Sequence, residues 1–218
     1  MNRKVLLQSI VTVILFFIIN FGLWEVLVAR GINQSWASFI VYAALVVVVI
    51  LIWSKKLLKE WCRLKSEMKN WKSFFIELLI GIAIALVFAY LFQYLINGGF
   101  KTDNTKMAGI MVDTIPPILS CIMLSVFGPI IEELTFRESL IGIINRQNKI
   151  GITIMMIISI IVFDCIHLYR WQEFFYYLPL AIVLTVFYVK HNRNVFSSII
   201  MHALFNLPGA IMMIIGAM

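Results

Sequence analysis

Long, mostly apolar runs dominate the chain, and short clusters of charged or polar residues separate them. A helix that crosses a bilayer needs about 20 consecutive, mostly apolar residues. Seven runs of about this length are predicted to be membrane spans: 5–28, 37–53, 74–96, 118–144, 150–170, 174–190 and 195–217. The pattern therefore predicts an all-α fold, a polytopic transmembrane helix bundle of about seven spans.

A basic segment follows the second run and has a different pattern. Apolar residues recur there at steps of three and four among the lysines: Leu57, Trp61, Leu64, Met68 and Trp71. This spacing predicts an amphipathic helix, and its basic face predicts that it lies on the cytoplasmic surface of the membrane. We expect two parts, an N-terminal part with two spans and the basic segment at 1–73, and a transmembrane core at 74–218. The stretch 97–113 is polar and is predicted to be an outer, turn-rich loop.

Composition and charge agree with a membrane protein and set its orientation. Hydrophobic residues make up 62% of the chain and charged residues 13%, with a mean hydropathy of +0.96, which excludes a soluble globular domain. Because the second loop holds seven of the 18 lysines and arginines and the first loop holds only Arg30, the positive-inside rule predicts a multi-pass protein of the cell membrane with a cytoplasmic N-terminus. The abundance of Lys, Asn and Ile is typical of a bacterium with low genomic GC content, which indicates a bacterial plasma membrane.

The net charge of +7 is consistent with this topology and with contact to lipid headgroups. The basic residues form no patch with interleaved aromatic residues, so nucleic acid is not an expected partner.

Ionisable residues inside the apolar runs are the main chemical signal. Each costs about 3 kcal/mol at the bilayer centre on insertion scales, which makes a functional role the better explanation. Six polar residues on three predicted spans form the candidate site: Glu132, Glu133, Arg137, His167, His202 and Asn206. Their depths along the spans predict that they meet near the middle of the bilayer. Asp164 is a secondary site candidate, and Glu138 extends the acidic cluster.

The two adjacent glutamates are predicted to have different surroundings. Glu133 and Arg137 are four residues apart, so they share one helix face and can form an ion pair. Glu132 is turned away from Glu133 by about 100° and has no local partner. It is therefore the carboxylate that is available for chemistry.

A carboxylate, two imidazoles and an amide in a dry cavity suit the activation of water for attack on an amide carbonyl. Glu132 is assigned as the general base and His167 as the residue that helps to hold the water. His202 and Asn206 are assigned as hydrogen-bond donors to the oxyanion. Alternatively, Glu132, His167 and His202 could bind a divalent metal such as zinc. Both mechanisms need the same side chains, and the residues leave both open.

The order and spacing of these residues resemble the three-motif signature of the CPBP intramembrane proteases. This family is also called the CAAX prenyl protease 2 or Abi family and includes bacteriocin self-immunity proteins. The resemblance covers about residues 118 to 208 and rests on Glu132-Glu133, Phe136-Arg137, Phe163 four before His167, and His202 four before Asn206.

The resemblance implies a role for each motif residue. Glu132 corresponds to the catalytic glutamate, and Glu133 with Arg137 to its supporting pair. His167 corresponds to the water-holding histidine, and His202 with Asn206 to the oxyanion side, with Phe163 as a supporting residue. The family often has a small residue after the motif arginine, whereas this chain has Glu138, which we expect to alter the cavity floor or the choice of substrate. The first two spans and the basic segment lie outside the resemblance.

These observations lead to one main hypothesis and two alternatives. The chain is predicted to be an intramembrane endopeptidase that cleaves a membrane-associated protein or peptide, in bacteriocin self-immunity or in the processing of a peptide signal. The first alternative is a non-catalytic immunity or scaffold protein that binds a peptide or membrane partner with the same cavity. The second is a proton or ion carrier, which would also use buried acids and histidines. The expected partners are the lipid bilayer and the substrate, and the oligomeric state is left open.

Overall fold

The computed structural model describes residues 3–67, 70–98 and 102–214, which are helical apart from short connections and contain no strand. Eight helices follow one another within these residues: α1 Arg3–Ala29, α2 Gln34–Glu67, α3 Trp71–Asn97, α4 Asp103–Val112, α5 Pro117–Glu138, α6 Lys149–Cys165, α7 Trp171–Lys190 and α8 Val195–Ile214. The predicted all-α class is confirmed.

Most of these helices are long and apolar enough to cross a membrane. Helices α1, α2, α3, α5, α7 and α8 meet both criteria. Helix α6 has 17 residues, so it is about 26 Å long, and it coincides with the fifth predicted span. The predicted bundle of about seven spans therefore agrees with the structure, and the protein is a multi-pass membrane protein.

The basic segment is helical, but it continues the second span. Helix α2 has 34 residues, which corresponds to a length of about 51 Å, whereas the hydrocarbon core of a bilayer is about 30 Å thick. One helix thus carries both the span and most of the basic segment, and Trp71 already belongs to α3. Met68 and Lys69 lie outside the described residues. The hydrophobic core has members on both sides of residue 73, and the division into two parts stays a prediction.

The outer stretch 97–113 contains a helix where a turn-rich loop was predicted. Helix α4 covers Asp103–Val112, and its apolar residues Met107 and Ile110 follow one another at the spacing of one helical turn. Residues 99–101 lie outside the described residues. Helix α3 ends at Asn97, and Gly98 caps it with a left-handed backbone conformation at φ 59°. Polar residues had favoured the loop interpretation, but the contacts of α4 with α2 stabilise a helix.

Helix α5 carries the acidic motif and is the most enclosed span. Half of its apolar window is buried, against 17% to 44% in the other candidate spans. It begins at Pro117, where the fixed φ of proline favours the first helical turn. Two π-helical turns interrupt it, at Met123–Phe127 and Glu133–Glu138. Such turns change the direction of the side chains that follow and frequently occur at functional sites.

Candidate active site

Three helices bring the predicted acidic and imidazole side chains together. The Oε2 atom of Glu132, on α5, lies 3.9 Å from Nε2 of His167, in the turn that follows α6, and 3.8 Å from Nε2 of His202 on α8. The side chains of Glu132 and His167 are 12% and 19% exposed, and that of His202 is 3% exposed. The site is therefore largely buried, and Glu132 and His167 are its more exposed side chains.

The backbone of α6 orients the His167 ring. Nδ1 of His167 lies 2.7 Å from the carbonyl oxygen of Phe163, one helical turn earlier. Because a carbonyl oxygen only accepts hydrogen bonds, Nδ1 carries the proton. In the neutral ring, Nε2 then presents its lone pair toward Glu132.

Glu133 anchors the second histidine and pairs with Arg137. It is fully buried, and its Oε1 atom lies 3.2 Å from Nη1 of Arg137 and 3.0 Å from Nδ1 of His202. The predicted ion pair between Glu133 and Arg137 is therefore present. The contact with His202 was not predicted, and it turns Nε2 of His202 toward Glu132. Arg137 also donates a hydrogen bond from Nη2 to the carbonyl oxygen of Ala181 on α7, at 3.4 Å.

The buried ring of Phe163 contacts three of the site residues. Its ring centroid lies 4.7 Å from that of His167 and 5.8 Å from that of His202. The guanidinium carbon of Arg137 lies 4.1 Å from the same centroid, which places the cation against the ring in a cation–π contact. Phe163 thus supports both imidazoles and the buried arginine at once.

Asn206 is held by the first π-helical turn of α5. Its Nδ2 atom donates a hydrogen bond to the carbonyl oxygen of Leu124 at 3.1 Å, within the turn Met123–Phe127. This bond uses one of the two amide N–H groups and anchors α8 on α5. The predicted contribution of Asn206 to an oxyanion site stays a prediction.

Two tyrosines at the site were missed in the sequence. The ring of Tyr177 stacks on His167, with centroids 5.2 Å apart, and its hydroxyl shares a hydrogen bond with Thr102 Oγ1 at 2.9 Å. A Cβ atom added at Gly128 would lie 3.6 Å from Cε1 of Tyr42 and 3.8 Å from Oε1 of Glu132, so both side chains lie over that glycine. Aromatic residues are common in spans, so no signal distinguishes these two before the helices pack.

The two secondary candidates, Glu138 and Asp164, are both buried. Glu138 is buried and bonds to Lys56 and to the hydroxyl of Tyr188, which donates to Oε2 at 3.0 Å. Its described contacts are thus structural, and its expected effect on the cavity floor or on substrate choice stays a prediction. Asp164 is buried, and neither carboxylate oxygen has a hydrogen-bond partner among the described residues.

The zinc alternative gains no geometric support. Within the described residues, no group of three or more His, Cys, Asp or Glu side chains has an arrangement that could hold a metal ion. Zinc would bind ligand atoms at about 2.0–2.2 Å, so adjacent ligands would lie roughly 3.4 Å apart. The separations of 3.8 and 3.9 Å between Glu132 and the histidines are wider than this.

Comparison with known proteins identifies relatives of this chain. The sequence model of the family described as type II CAAX prenyl endopeptidase Rce1-like matches residues 114–208, which include the site residues of α5, α6 and α8. The chain is also similar to two proteins of Lactococcus lactis subsp. lactis (strain IL1403). UPF0177 protein YxdF is 30% identical over 152 residues, 67% of this chain and 81% of the relative. UPF0177 protein YbdI is 28% identical over 130 residues, 59% of this chain and 68% of the relative. No solved structure matches.

Proposed function

Because the chain belongs to the Rce1-like family of type II CAAX prenyl endopeptidases, the CPBP family, it is a CAAX-type intramembrane protease in kind, and we propose that Glu132 activates the water that attacks the peptide bond. The proposed substrate is a membrane-associated protein or peptide, which reaches the site from within the bilayer. The proposed setting is a bacterial plasma membrane, which agrees with the bacterial origin of both relatives.

The observation that carries the proposal is the position of one carboxylate oxygen between two imidazoles. The separations of 3.9 and 3.8 Å from Glu132 Oε2 to the two Nε2 atoms are too long for direct hydrogen bonds. A water oxygen that lies about 2.8 Å from the carboxylate oxygen and from one imidazole nitrogen would bridge such a gap. The angle between these two contacts, measured at the water oxygen, would be roughly 90°. The three side chains can therefore hold one water molecule.

The proposed reaction follows from the hydrogen bonds of each group. Glu132 takes a proton from the water, while Nε2 of His167 accepts the other water proton as a hydrogen bond and orients the oxygen. The resulting hydroxide attacks the carbonyl carbon, and a tetrahedral oxyanion forms. When the C–N bond breaks, the proton held by Glu132 passes to the leaving amine.

His202 is proposed to act on the oxyanion. Its Nδ1 atom donates a hydrogen bond to the Glu133 carboxylate at 3.0 Å, and this contact directs Nε2 toward Glu132. Nε2–H of His202 can then donate to the developing oxyanion, together with the second N–H of Asn206. The Arg137 guanidinium balances the charge of Glu133, so the acidic pair does not place two uncompensated charges in the site.

Replacement of the proposed base provides the direct test. We expect new peptide termini in membranes from cells that make the wild type, and at least about 100-fold fewer of them with Glu132→Gln at matched protein levels. Glu25→Gln is the matched control, because it makes the same chemical change at an exposed position of α1 and should retain all termini. Identical termini with the wild type and Glu132→Gln would contradict the proposal.

The same preparation separates the remaining alternatives. A zinc chelator should leave cleavage unchanged, whereas a loss that added zinc restores would replace the glutamate mechanism with a metal-dependent one. If the protein acts in bacteriocin self-immunity by proteolysis, Glu132→Gln should remove the protection of cells. Full protection with Glu132→Gln would support the non-catalytic binding alternative. Proton flux into vesicles would support the carrier alternative.

A further inference from the structure

Helix α2 brings a tyrosine into the candidate active site. Tyr42 lies about 12 Å along α2 from its first residue, Gln34, whereas tyrosines of membrane proteins concentrate at the two membrane interfaces. The ring is half-buried and packs against the small apolar cluster of Ile115 and Met123. This packing explains the ring of Tyr42, but it gives no role to the hydroxyl group.

The Tyr42 ring and the Glu132 carboxylate border the same small space over Gly128. A Cβ atom added at Gly128 would lie 3.6 Å from Cε1 of Tyr42 and 3.8 Å from Oε1 of Glu132. The other carboxylate oxygen, Oε2, is the one that lies nearest to the two imidazoles. One oxygen of Glu132 thus faces the histidines, and the other faces the space beside the tyrosine.

The hydroxyl group of Tyr42 is available as a hydrogen-bond donor. It forms no hydrogen bond with the residues that the structure describes, and it interacts electrostatically with Glu132 and Tyr169. A tyrosine hydroxyl in a protein interior usually finds a partner, because an unpaired polar group costs about 1–3 kcal/mol there. The hydroxyl can therefore bind a polar group that enters the space between Tyr42 and Glu132.

We propose that Tyr42 is a catalytic residue whose hydroxyl donates a hydrogen bond to the carbonyl oxygen of the scissile peptide bond. This inference rests on the proposed protease function. When the water oxygen bonds to the carbonyl carbon, one electron pair of the C=O bond moves to the oxygen, and the Tyr42 O–H stabilises that charge while it keeps its proton. As the C=O bond forms again, the C–N bond breaks and the leaving amine takes its proton from Glu132.

The proposal gives α2 a part in catalysis. Tyr42 lies outside residues 114–208, which the family model matches. Gly128 directly follows the first π-helical turn of α5, and Asn206 binds the Leu124 carbonyl within that turn. The hydroxyl of Tyr42 and the amide of Asn206 therefore lie along one short stretch of α5, as two donors to the same oxyanion must.

Tyr42→Phe tests the donor, because it removes the hydroxyl and retains the ring. The probe is a synthetic peptide that spans the most abundant cleavage site among the termini that require Glu132. With purified full-length protein in detergent, we expect Tyr42→Phe to lower kcat about 100-fold, as the loss of one oxyanion donor does, and to leave KM within about threefold of the wild type. Tyr90→Phe makes the same change at an exposed position of α3 and should retain full activity.

A second variant tests the space between the tyrosine and the carboxylate. Gly128 has helical backbone angles, φ −52° and ψ −60°, and the nearest atoms to an added Cβ are 3.5–3.8 Å away, so Gly128→Ala is compatible with the fold. Its methyl group would project into the space that the substrate carbonyl enters. We expect an unfolding temperature at or above that of the wild type, together with at least about a 10-fold loss of kcat/KM.

The outcomes separate this proposal from the protease function itself. Wild-type kcat with Tyr42→Phe, when Glu132→Gln abolishes cleavage, would overturn the donor role and leave the proposed function intact. A fully active Gly128→Ala would likewise show that the carbonyl does not enter this space. Equal losses with Tyr42→Phe and Tyr90→Phe, or a lower unfolding temperature for Tyr42→Phe, would assign the effect to the fold. Identical termini with the wild type and Glu132→Gln would reject the proposed function and the donor role with it.

Discussion

At the scale of single residues, the two adjacent glutamates differ in role: one supports the fold and the other is available for chemistry. Glu133 is fully buried and contacts both Arg137 and His202. Glu132 remains partly accessible, and its Oε2 atom has no hydrogen-bond partner among the described residues. The same type of side chain is thus part of the core at position 133 and available for proton transfer at position 132.

We therefore expect Glu133→Gln to destabilise the protein and Glu132→Gln to leave its stability almost unchanged. The first change leaves the buried Arg137 guanidinium without its counter-charge, which costs about 3–5 kcal/mol for a buried pair. Thermal unfolding of the purified variants in detergent measures the difference. Equal unfolding temperatures for the two variants would show that the ion pair does not support the fold.

At the scale of helices and their connections, the end of α5 depends on a glycine. A Cβ atom added at Gly142 would lie 2.3 Å from Oε1 and 2.4 Å from the backbone oxygen of Glu138. The backbone oxygen cannot rotate away, so the turn that follows α5 must shift. The contact of Glu138 with Lys56 and Tyr188 depends on the same turn.

Gly142→Ala should consequently lower the free energy of unfolding by about 1–3 kcal/mol, the usual cost of overpacking. Gly109→Ala is the matched control, because nothing lies within 4 Å of the added Cβ and alanine favours helix α4. Chemical denaturation of both variants in the same detergent compares them. A Gly142→Ala variant as stable as the control would contradict the predicted clash.

Helix α4 is tied to the start of α7 by an ion pair that depends on pH. Hydrogen bonds from Arg170, and then from Lys106, lower the pKa of Asp103 from 3.8 to about 2. A carboxyl with a lowered folded-state pKa stabilises the fold fully above its unfolded pKa, and this contribution disappears as the pH falls through the folded pKa. The connection should therefore be intact above about pH 4 and weaken between about pH 4 and 2.

Hydrogen exchange of the α4 amides measures this loss. Protection should be constant from pH 7 to about 4 after correction for the intrinsic exchange rate, and it should fall toward pH 2. Asp103→Asn should reduce protection at neutral pH and remove the dependence between pH 4 and 2. If the wild type and Asp103→Asn show the same pH profile, Asp103 does not hold α4 in place.

At the scale of the whole molecule, the distribution of basic residues predicts the orientation in the membrane. Lys55, Lys56, Lys59, Arg63 and Lys65 lie in the second half of α2, which the positive-inside rule places in the cytoplasm. Cys62 is exposed within this same stretch, so it is a natural reporter of its location.

A membrane-impermeant maleimide should label Cys62 only after the cells are permeabilised. A Cys121→Ser/Cys165→Ser background isolates this thiol, and adding Cys62→Ser to that background gives the blank. Labelling of Cys62 in intact cells would reverse the proposed topology and place the N-terminus outside.

Local sequence was sufficient to predict the spans and to single out candidate residues for the site. Hydrophobic runs locate the helices because insertion into a bilayer depends on the composition of each segment. The cost of burying Glu132, His167 and His202 likewise made them candidates without any knowledge of their neighbours. The helix α4 was missed because its stability depends on contacts with α2, which local polarity does not report.

Packing between distant helices decided how the site residues meet and which neighbours support them. Glu133 binds His202 across 69 residues of sequence, and Glu138 binds Lys56 across 82. The stacking of Tyr177 on His167 is also a contact between α7 and the turn that follows α6. Such contacts depend on the rotation and relative depth of each helix, and these follow from side-chain packing in three dimensions. Residue type and spacing set the chemistry that is available, and the packed bundle determines which atoms face one another.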